Sequence, residues 1–147
     1  MLDVKSVFTQ LLFSTTRLEC ELADGGSATG TAFFFTYNLE NGKTLTLLVT
    51  NKHVVKGARR GRFWLHESSI GADGKLAPSA SSFDVSVEDF ENWWFPHPSH
   101  EIDLCVMPFQ PLRIEAEKQG KAVYNLALTE REIATDAALR EFTAMED

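Results

Sequence analysis

The stretch Leu45-Thr46-Leu47-Leu48-Val49-Thr50-Asn51-Lys52-His53-Val54-Val55 decides the fold of this chain. It is an apolar run of Leu, Val and Thr that ends in a polar corner, and it lies between Gly42 and Gly57. Branched side chains of this kind suit a pleated, half-buried surface, so the run favours a strand over a helix. The polar residues that follow it indicate a turn. The pattern therefore predicts that His53 lies at the rim of a sheet, where rigid scaffolds present reactive groups.

The length and composition are those of one globular domain. The chain has 147 residues, of which 44% are hydrophobic and 24% are charged. Its net charge of −7 argues against nucleic-acid binding, because neutralising phosphates requires a basic surface. One basic cluster is predicted to be a solvated loop, with a phosphate or acidic-peptide site as the alternative; it consists of Lys56, Arg59, Arg60 and Arg62.

The sequence also predicts a cytoplasmic protein without membrane association. The first residues, Met1 to Lys5, do not form a basic region followed by a long apolar core, as a signal peptide would. No apolar run approaches the length of about 20 residues that a membrane helix needs. Cys20 and Cys105 have apolar or strand-like neighbours and are predicted to be reduced core thiols, although a disulfide between them is an alternative.

The first part of the chain alternates between strand patterns and turn signals. Residues 4–13 have a short helical period that is also compatible with entry into a strand. Residues 14–22 alternate as a half-buried strand, and after Asp24-Gly25-Gly26 a second strand is predicted over residues 27–37. Within it, Gly30 is expected to allow close approach of another backbone. Residues 38–42 end in Asn-Gly, which is typical of a hairpin loop leading into the His53 strand.

The remaining patterns predict three further strands and two helices. The strands cover residues 62–67, 83–90 and 103–109, and residues 68–82, rich in Gly, Ser and Ala, are predicted to be a loop. Six short antiparallel strands indicate an all-β fold, a closed or nearly closed six-stranded β-barrel. After Pro111, short helices are predicted over residues 112–119, with Gly120 as the stop, and over residues 135–142.

Two motifs in this chain resemble the trypsin-like serine peptidases of the chymotrypsin fold. The first is Gly30-Thr31-Ala32-Phe33-Phe34 followed by Leu48-Val49-Thr50-Asn51-Lys52-His53-Val54-Val55, similar to the strand pair whose second strand bears the family's histidine. The second, His97-Pro98-Ser99-His100-Glu101-Ile102-Asp103-Leu104-Cys105-Val106-Met107, is similar to the segment that bears its aspartate. Asp103 follows His53 by 50 residues, a separation that the family commonly shows.

The resemblance implies a role for both residues. His53 would be the general base, and Asp103 would orient its imidazole, in the hydrolysis of a peptide or protein substrate. The resemblance covers about residues 8–110, the first of the family's two barrels. It implies an N-terminal barrel over residues 1–110 and a crossover segment over residues 111–147, which makes the chain a fragment. No cofactor or metal is expected.

The family's serine nucleophile has no counterpart in this sequence. Asp24-Gly25-Gly26-Ser27 is similar in sequence to the family's serine-bearing loop. However, it precedes the His53 strand and is predicted to be a hairpin turn. The cluster over residues 79–82 lacks the glycines that would expose backbone N–H groups as an oxyanion hole. The resemblance therefore implies a second barrel, in the same polypeptide or in another chain, that supplies the serine.

Two alternatives follow from the same residues. The chain could be a non-catalytic barrel that binds a peptide or protein partner, or a second copy of itself, through the surface on which a second barrel would pack. Trp93-Trp94-Phe95 is predicted first of all to close an end of the barrel, but consecutive aromatic side chains cannot all point inward, so at least one of them would belong to a peptide groove or to the surface that meets a second barrel. The other alternative is a metal site at His97, His100 and Glu101, although this spacing in a proline-containing loop is not a zinc-peptidase helix motif.

Overall fold

A computed structural model describes residues 6–133 and the single residues 137, 140, 141 and 144. In these residues the chain forms one antiparallel sheet with short helices, which confirms the all-β class. The strands are β1 (Thr15–Leu22), β2 (Ser27–Asn38), β3 (Thr44–Thr50), β4 (Ala58–Ile70), β5 (Leu76–Glu88), β6 (Phe95–Pro96), β7 (Cys105–Pro108) and β8 (Val123–Tyr124). The helices are α1 (Val7–Ser14), α2 (Lys52–Val55) and α3 (Gln110–Lys118), with 3₁₀ turns at Phe90–Trp93 and Glu130–Glu132.

The strands are joined in the order β5-β4-β1-β2-β3-β7-β6, and β8 pairs with β4. The structure therefore does not confirm a six-stranded barrel. Among the described residues there are eight strands, and the sheet is not closed, since β5 and β6 end the path. The two strands that the sequence did not predict, β6 and β8, have two residues each and are too short to show a period.

Local patterns in the first half of the chain are confirmed. The N-cap hydroxyl of Ser6 accepts a hydrogen bond from the backbone N–H of Thr9, and the helical option is confirmed over residues 7–13; residues 4 and 5 lie outside the described residues. Leu18 and Cys20 are buried on one face of β1, as its alternation predicts. Gly30 does permit a close approach, but the neighbour is the side chain of Val54 and not a backbone: a Cβ on Gly30 would lie 2.7 Å from one of its methyl carbons.

The predicted loop over residues 68–82 is wrong. Both of its ends continue as strand, and β4 and β5 form a long hairpin whose turn has a hydrogen bond from Gly71 N to Lys75 O (2.7 Å). Gly, Ser and Ala have low strand propensity, but cross-strand hydrogen bonding overrides it here. Pro78 is tolerated because β5 lies at the edge of the sheet, where a missing N–H costs no ladder bond.

The basic cluster is also not a loop. Three of its arginines lie on β4 and face carboxylates of neighbouring strands, as in the pairs Arg60 Nε–Glu88 Oε1 (2.7 Å) and Arg62 Nε–Asp84 Oδ2 (3.5 Å). These pairs are at least partly solvent-exposed, so each contributes little to stability. Because their charges are already matched, the arginines do not form a free anion site.

An aromatic cluster is at the centre of the core. The ring of Phe90 makes edge contacts with Phe63 (centroids 5.3 Å apart) and Trp94 (5.7 Å), and all three side chains are buried. Gly61 is needed here, because a methyl group at that position would overlap the ring of Phe90. The 3₁₀ turn that begins at Phe90 and is followed by Trp94 is thus packed against β4, directly before the segment that leads to Asp103.

A helix and a segment that bonds to β2 follow β7 in the chain. Helix α3 confirms the helix predicted after Pro111, and Gly120 ends it with φ +74°. Leu128 hydrogen-bonds to β2 through Leu128 N to Phe34 O (2.9 Å) and Thr36 N to Leu128 O (2.8 Å). The helix predicted over residues 135–142 falls mostly outside the described residues. No helix among the described residues is long and apolar enough to cross a membrane.

Candidate active site

The corner that follows β3 holds His53 at the rim of the sheet. Thr50, the last residue of β3, is buried, and its hydroxyl donates to the backbone oxygen of Thr31 on β2 (2.9 Å). The chain then turns at Asn51 into the single helical turn α2, which carries His53. Val54 and Val55, on the other side of this turn, are buried in the core. The His53 side chain is 72% exposed, as expected for a rim position.

The structure brings the two predicted site residues together. Asp103 lies in the irregular segment between β6 and β7, and its Oδ2 is 2.5 Å from His53 Nδ1. The other carboxylate oxygen, Oδ1, accepts a hydrogen bond from the backbone N–H of His53 (3.1 Å). The carboxylate thus binds both the ring and the backbone of the same residue. Such a two-point contact restrains the ring, because the carboxylate also binds the backbone from which the ring projects.

The electrostatics of the pair favour an ionised aspartate. The hydrogen bond from the His53 side chain lowers the pKa of Asp103, and the backbone N–H groups of His53 and Lys52 act in the same direction. An ionised carboxylate can only accept hydrogen bonds, so Nδ1 of His53 must carry the proton in this contact. In the neutral imidazole, Nε2 is then left with a free lone pair, which is the form of histidine that can act as a base.

The His53–Asp103 pair lines an open cavity of about 830 Å³. Trp94 contributes an apolar wall, and His97 and His100 come from the same segment as Asp103. His53 makes two hydrogen bonds with Asp103, one through Nδ1 and one through its backbone N–H. Within the part of the chain that the structure describes, its Nε2 has no hydrogen-bond partner. The free edge of the imidazole is therefore available to a group from outside these residues.

A second, apolar cavity of about 580 Å³ adjoins the first. Pro96, His97, Pro98 and Cys105 line both cavities. The floor of the second cavity is the outer face of the β2-β3-β7 sheet, formed by Phe33, Phe35, Tyr37, Leu47, Val49 and Val106. We call it the outer groove. Its apolar floor is unusual, because the opposite face of the same strands already packs in the core.

No serine described in the structure completes a triad. Ser27 follows a hairpin turn closed by hydrogen bonds from Leu22 N to Gly26 O (2.8 Å) and from Gly26 N to Asp24 Oδ1 (2.8 Å), which confirms the predicted turn. The serines over residues 79–82 lie on β5, in the β4–β5 hairpin. In residues 6–133, no hydroxyl group donates to the His53 ring.

The other sequence-based candidates for chemistry are not assembled. Among the described residues, no group of three or more His, Cys, Asp or Glu side chains could hold a metal. Instead, His97 Nδ1 accepts a hydrogen bond from the backbone N–H of Ser99 (3.0 Å). Cys20 and Cys105 are free and buried, as predicted, and burial raises the pKa of both thiols to about 11. Neither thiol is therefore a nucleophile near neutral pH.

The sequence marked Asn51 only as part of a turn and Lys52 only as part of the histidine motif, and both have a further role in the structure. The side chain of Asn51 donates to the backbone oxygen of Asp103 (2.8 Å), and that of Lys52 donates to the backbone oxygen of Ser99 (2.9 Å). Their polar character next to a rim histidine was a usable signal. Their acceptors, however, are about 50 positions away and carry no sequence mark, since any residue has a backbone carbonyl.

No model of a known protein family matches the chain, and no curated protein or solved structure matches it either. The resemblance of the two motifs to trypsin-like peptidases therefore stays a hypothesis. The function has to be inferred from the geometry of the site.

Proposed function

We propose that this chain is the His/Asp-bearing barrel of a trypsin-like serine endopeptidase, with His53 as general base and Asp103 as its orienting carboxylate. The observation that carries the proposal is the contact of Asp103 Oδ2 with His53 Nδ1 at 2.5 Å, which leaves Nε2 free beside an open cavity. The serine nucleophile and the oxyanion hole would belong to a second barrel, in the same polypeptide or in another chain.

The pair can perform the proton transfers of peptide hydrolysis. When a serine hydroxyl attacks the peptide carbonyl, its proton moves to Nε2, and the imidazolium that forms is stabilised by the Asp103 carboxylate. The same proton then passes to the leaving amine, which completes the acyl-enzyme. In the second half, water attacks the ester, its proton moves to Nε2, and that proton returns to the serine oxygen. Each half leaves His53 neutral.

The packing is compatible with a barrel. Val85 of β5, at one end of the sheet path, and Met107 of β7, the strand next to the other end, belong to one core. A sheet in which strands so far apart along the path face the same core has to curl around it. We therefore propose that β1 to β5 and β7, which lie where the six strands were predicted, form a barrel that is open between β5 and β7.

The outer groove supports the second barrel. Strands that are apolar on both faces are typical of sheets covered on both faces. On β2, Phe34 packs in the core while its neighbours Phe33 and Phe35 line the outer groove. Phe35 and Val49 are buried there, but Phe33, Leu47 and Val106 remain partly exposed among the described residues. A partly exposed apolar surface of this kind is typical of an interaction site. A second barrel packed there would lie beside the cavity of His53 and Asp103.

Labelling with a fluorophosphonate, which reacts with activated serines, tests the proposal. The protein should be isolated from its natural source in the assembly in which it occurs, labelled, and analysed by intact mass and peptide mapping. We expect one adduct on a serine in a species that contains these 147 residues, and no adduct on the isolated 16.4 kDa chain. The matched control is His53→Gln expressed in the same assembly, because a glutamine keeps a polar side chain but cannot act as the base.

Two outcomes would contradict the peptidase. One is the absence of an adduct from every species that contains this chain. The other is labelling that His53→Gln leaves unchanged, because the serine would then be activated by another group. Substrate preference would follow from peptide libraries once the labelled species is in hand.

The outer groove also supports a second candidate function, a barrel that binds a peptide or protein without catalysis. Phe95 lines the groove and is 62% exposed, so Phe95→Asp should reduce binding without disturbing the core. In this case partner binding, measured by calorimetry, would be lost in Phe95→Asp and retained in His53→Gln, and no serine would be labelled. If the bound partner is a second copy, sedimentation would show a dimer that Phe95→Asp dissociates.

A further inference from the structure

The segment that carries Asp103 has little structure of its own. Residues 97–104, here called the Asp103 loop, join β6 to β7 without a helix or a strand. Two backbone hydrogen bonds within the loop are His97 N to Leu104 O (2.9 Å) and Ile102 N to Ser99 O (3.3 Å). The Asp103 side chain is 47% exposed, so packing does not hold it tightly either. Something else has to set the position of its carboxylate.

Two side chains from the opposite corner bind this loop. Asn51 Nδ2 donates to the backbone oxygen of Asp103 (2.8 Å), and Lys52 Nζ donates to the backbone oxygen of Ser99 (2.9 Å). Both donors lie directly before His53 in the chain. Three consecutive residues, Asn51, Lys52 and His53, therefore hold the loop at Ser99 and at both the backbone and the carboxylate of Asp103.

We propose that Asn51 and Lys52 are positioning residues for the His53–Asp103 pair. They attach the Asp103 loop, which carries the carboxylate, to the turn that carries the His53 imidazole. The carboxylate and the imidazole thereby keep their relative position. The catalytic consequence rests on the proposed peptidase function, but the restraint on the pair does not.

The residue types suit this role. An amide NH₂ group on a short side chain can donate to a carbonyl of the adjacent loop, whereas an aspartate at position 51 would place an acceptor against an acceptor. The lysine ammonium has three donors on a long stem and can reach across to Ser99. Asn51 is exposed, so its replacement should not open the core.

The test uses the 147-residue chain and the variants Asn51→Ala and Lys52→Met, the latter retaining an unbranched apolar stem. The first readout is exchange of the His53 backbone N–H, which donates to Asp103 Oδ1. Loss of one anchoring hydrogen bond, worth about 1 kcal/mol, should accelerate this exchange about five-fold. The second readout is the ¹³C titration of the Asp103 carboxyl, whose pKa should rise because its hydrogen bond with the His53 side chain is formed less often.

Asn41→Ala is the matched control. Asn41 is also exposed, and its side-chain oxygen accepts one backbone hydrogen bond, from Lys43 N (3.1 Å), in a hairpin away from the site. It should change neither readout, whereas Lys52→Arg should restore exchange close to that of the native chain, since a guanidinium can also donate to Ser99.

Native exchange and a native Asp103 titration in both Asn51→Ala and Lys52→Met, with denaturation midpoints showing that the variants are folded, would overturn the proposal. Equal acceleration in Asn41→Ala would overturn it as well. These readouts need no serine. A failed fluorophosphonate experiment would thus contradict the peptidase function without contradicting the positioning role. Conversely, native exchange and titration in the variants would contradict the positioning role without contradicting the peptidase function.

Discussion

The aromatic core and the His53–Asp103 pair are neighbouring regions held together in opposite ways. In the core, Phe63, Phe90 and Trp94 are buried and make edge and stacked ring contacts. In the site, the two residues are largely exposed and are joined by two hydrogen bonds. Trp94 belongs to both regions, because it also lines the cavity beside His53. The stability of the fold and the chemistry of the site should therefore respond to different substitutions.

The largest expected effect is on chemistry alone. If the proposed peptidase is correct, Asp103→Asn should lower its kcat by about 10⁴-fold, because an amide cannot favour the Nδ1-protonated tautomer as a carboxylate does. The free energy of unfolding should change by less than about 0.5 kcal/mol, as for other exposed sites. Steady-state kinetics and urea denaturation would measure the two quantities. A fall in the free energy of unfolding well beyond this limit would show that the His53–Asp103 pair also stabilises the fold.

Phe90→Ala should have the converse effect. Removing a fully buried ring leaves a cavity and should destabilise the chain by about 3–5 kcal/mol. Phe95→Ala is the matched control: it removes the same ring from an exposed position and should cost less than about 0.5 kcal/mol. Urea denaturation would measure both. A small effect of Phe90→Ala would mean that the core can collapse around the missing ring.

Gly61→Ala should destabilise the same core by overpacking. The new methyl group would overlap the ring of Phe90, which is buried and cannot move aside, at a cost of about 1–3 kcal/mol. In the double variant with Phe90→Ala the overlap is gone, so the combined loss should be smaller than the sum of the single losses. Additive losses would locate the strain elsewhere in β4.

The smallest effect concerns the pH dependence of stability. Replacing His53 with Ala removes the main cause of the low pKa of Asp103, so that pKa should rise toward its ordinary value of 3.8. A pKa that is lower in the folded than in the unfolded chain adds stability above the unfolded value and loses it as the pH falls through the folded value. The stability difference between native and variant chains should therefore narrow below about pH 4.

Glu132 is an internal control for this titration. Its pKa is also lowered, by a hydrogen bond from the side chain of Thr129 and another from the backbone N–H of that residue. A ¹³C titration of the carboxyl groups should show that His53→Ala moves Asp103 and leaves Glu132 in place. If both move, the variant has a wider conformational change and the local interpretation fails.

Much of the fold could be predicted because its signals are local. The alternation of Leu18 and Cys20 sets the inward face of β1, and the Asn-Gly pair predicts the hairpin between β2 and β3. Pro111 in the first turn of α3 and Gly120 just after its last turn mark that helix in the same way. In each case, the residues that determine the element lie within it or beside it.

The site could be predicted in part. The motifs around His53 and Asp103 placed both residues at strand ends, and the structure brings them together. The anchors Asn51 and Lys52 were not identified, because they bind backbone oxygens of a loop that no periodicity describes. The sequence indicated the outer groove only through Trp93-Trp94-Phe95, of which at least one side chain had to be exposed.

The primary structure alone determined the all-β class, the turns and the rim position of His53, because propensity and alternation act over a few residues. Tertiary pairing decided that most of residues 68–82 form strand, that the arginines of β4 meet carboxylates, and that within the described residues the sheet ends at β5 and β6. It also decided the contact between His53 and Asp103. These outcomes depend on partners far away in the sequence, and a local pattern does not specify which distant strand or loop will supply them.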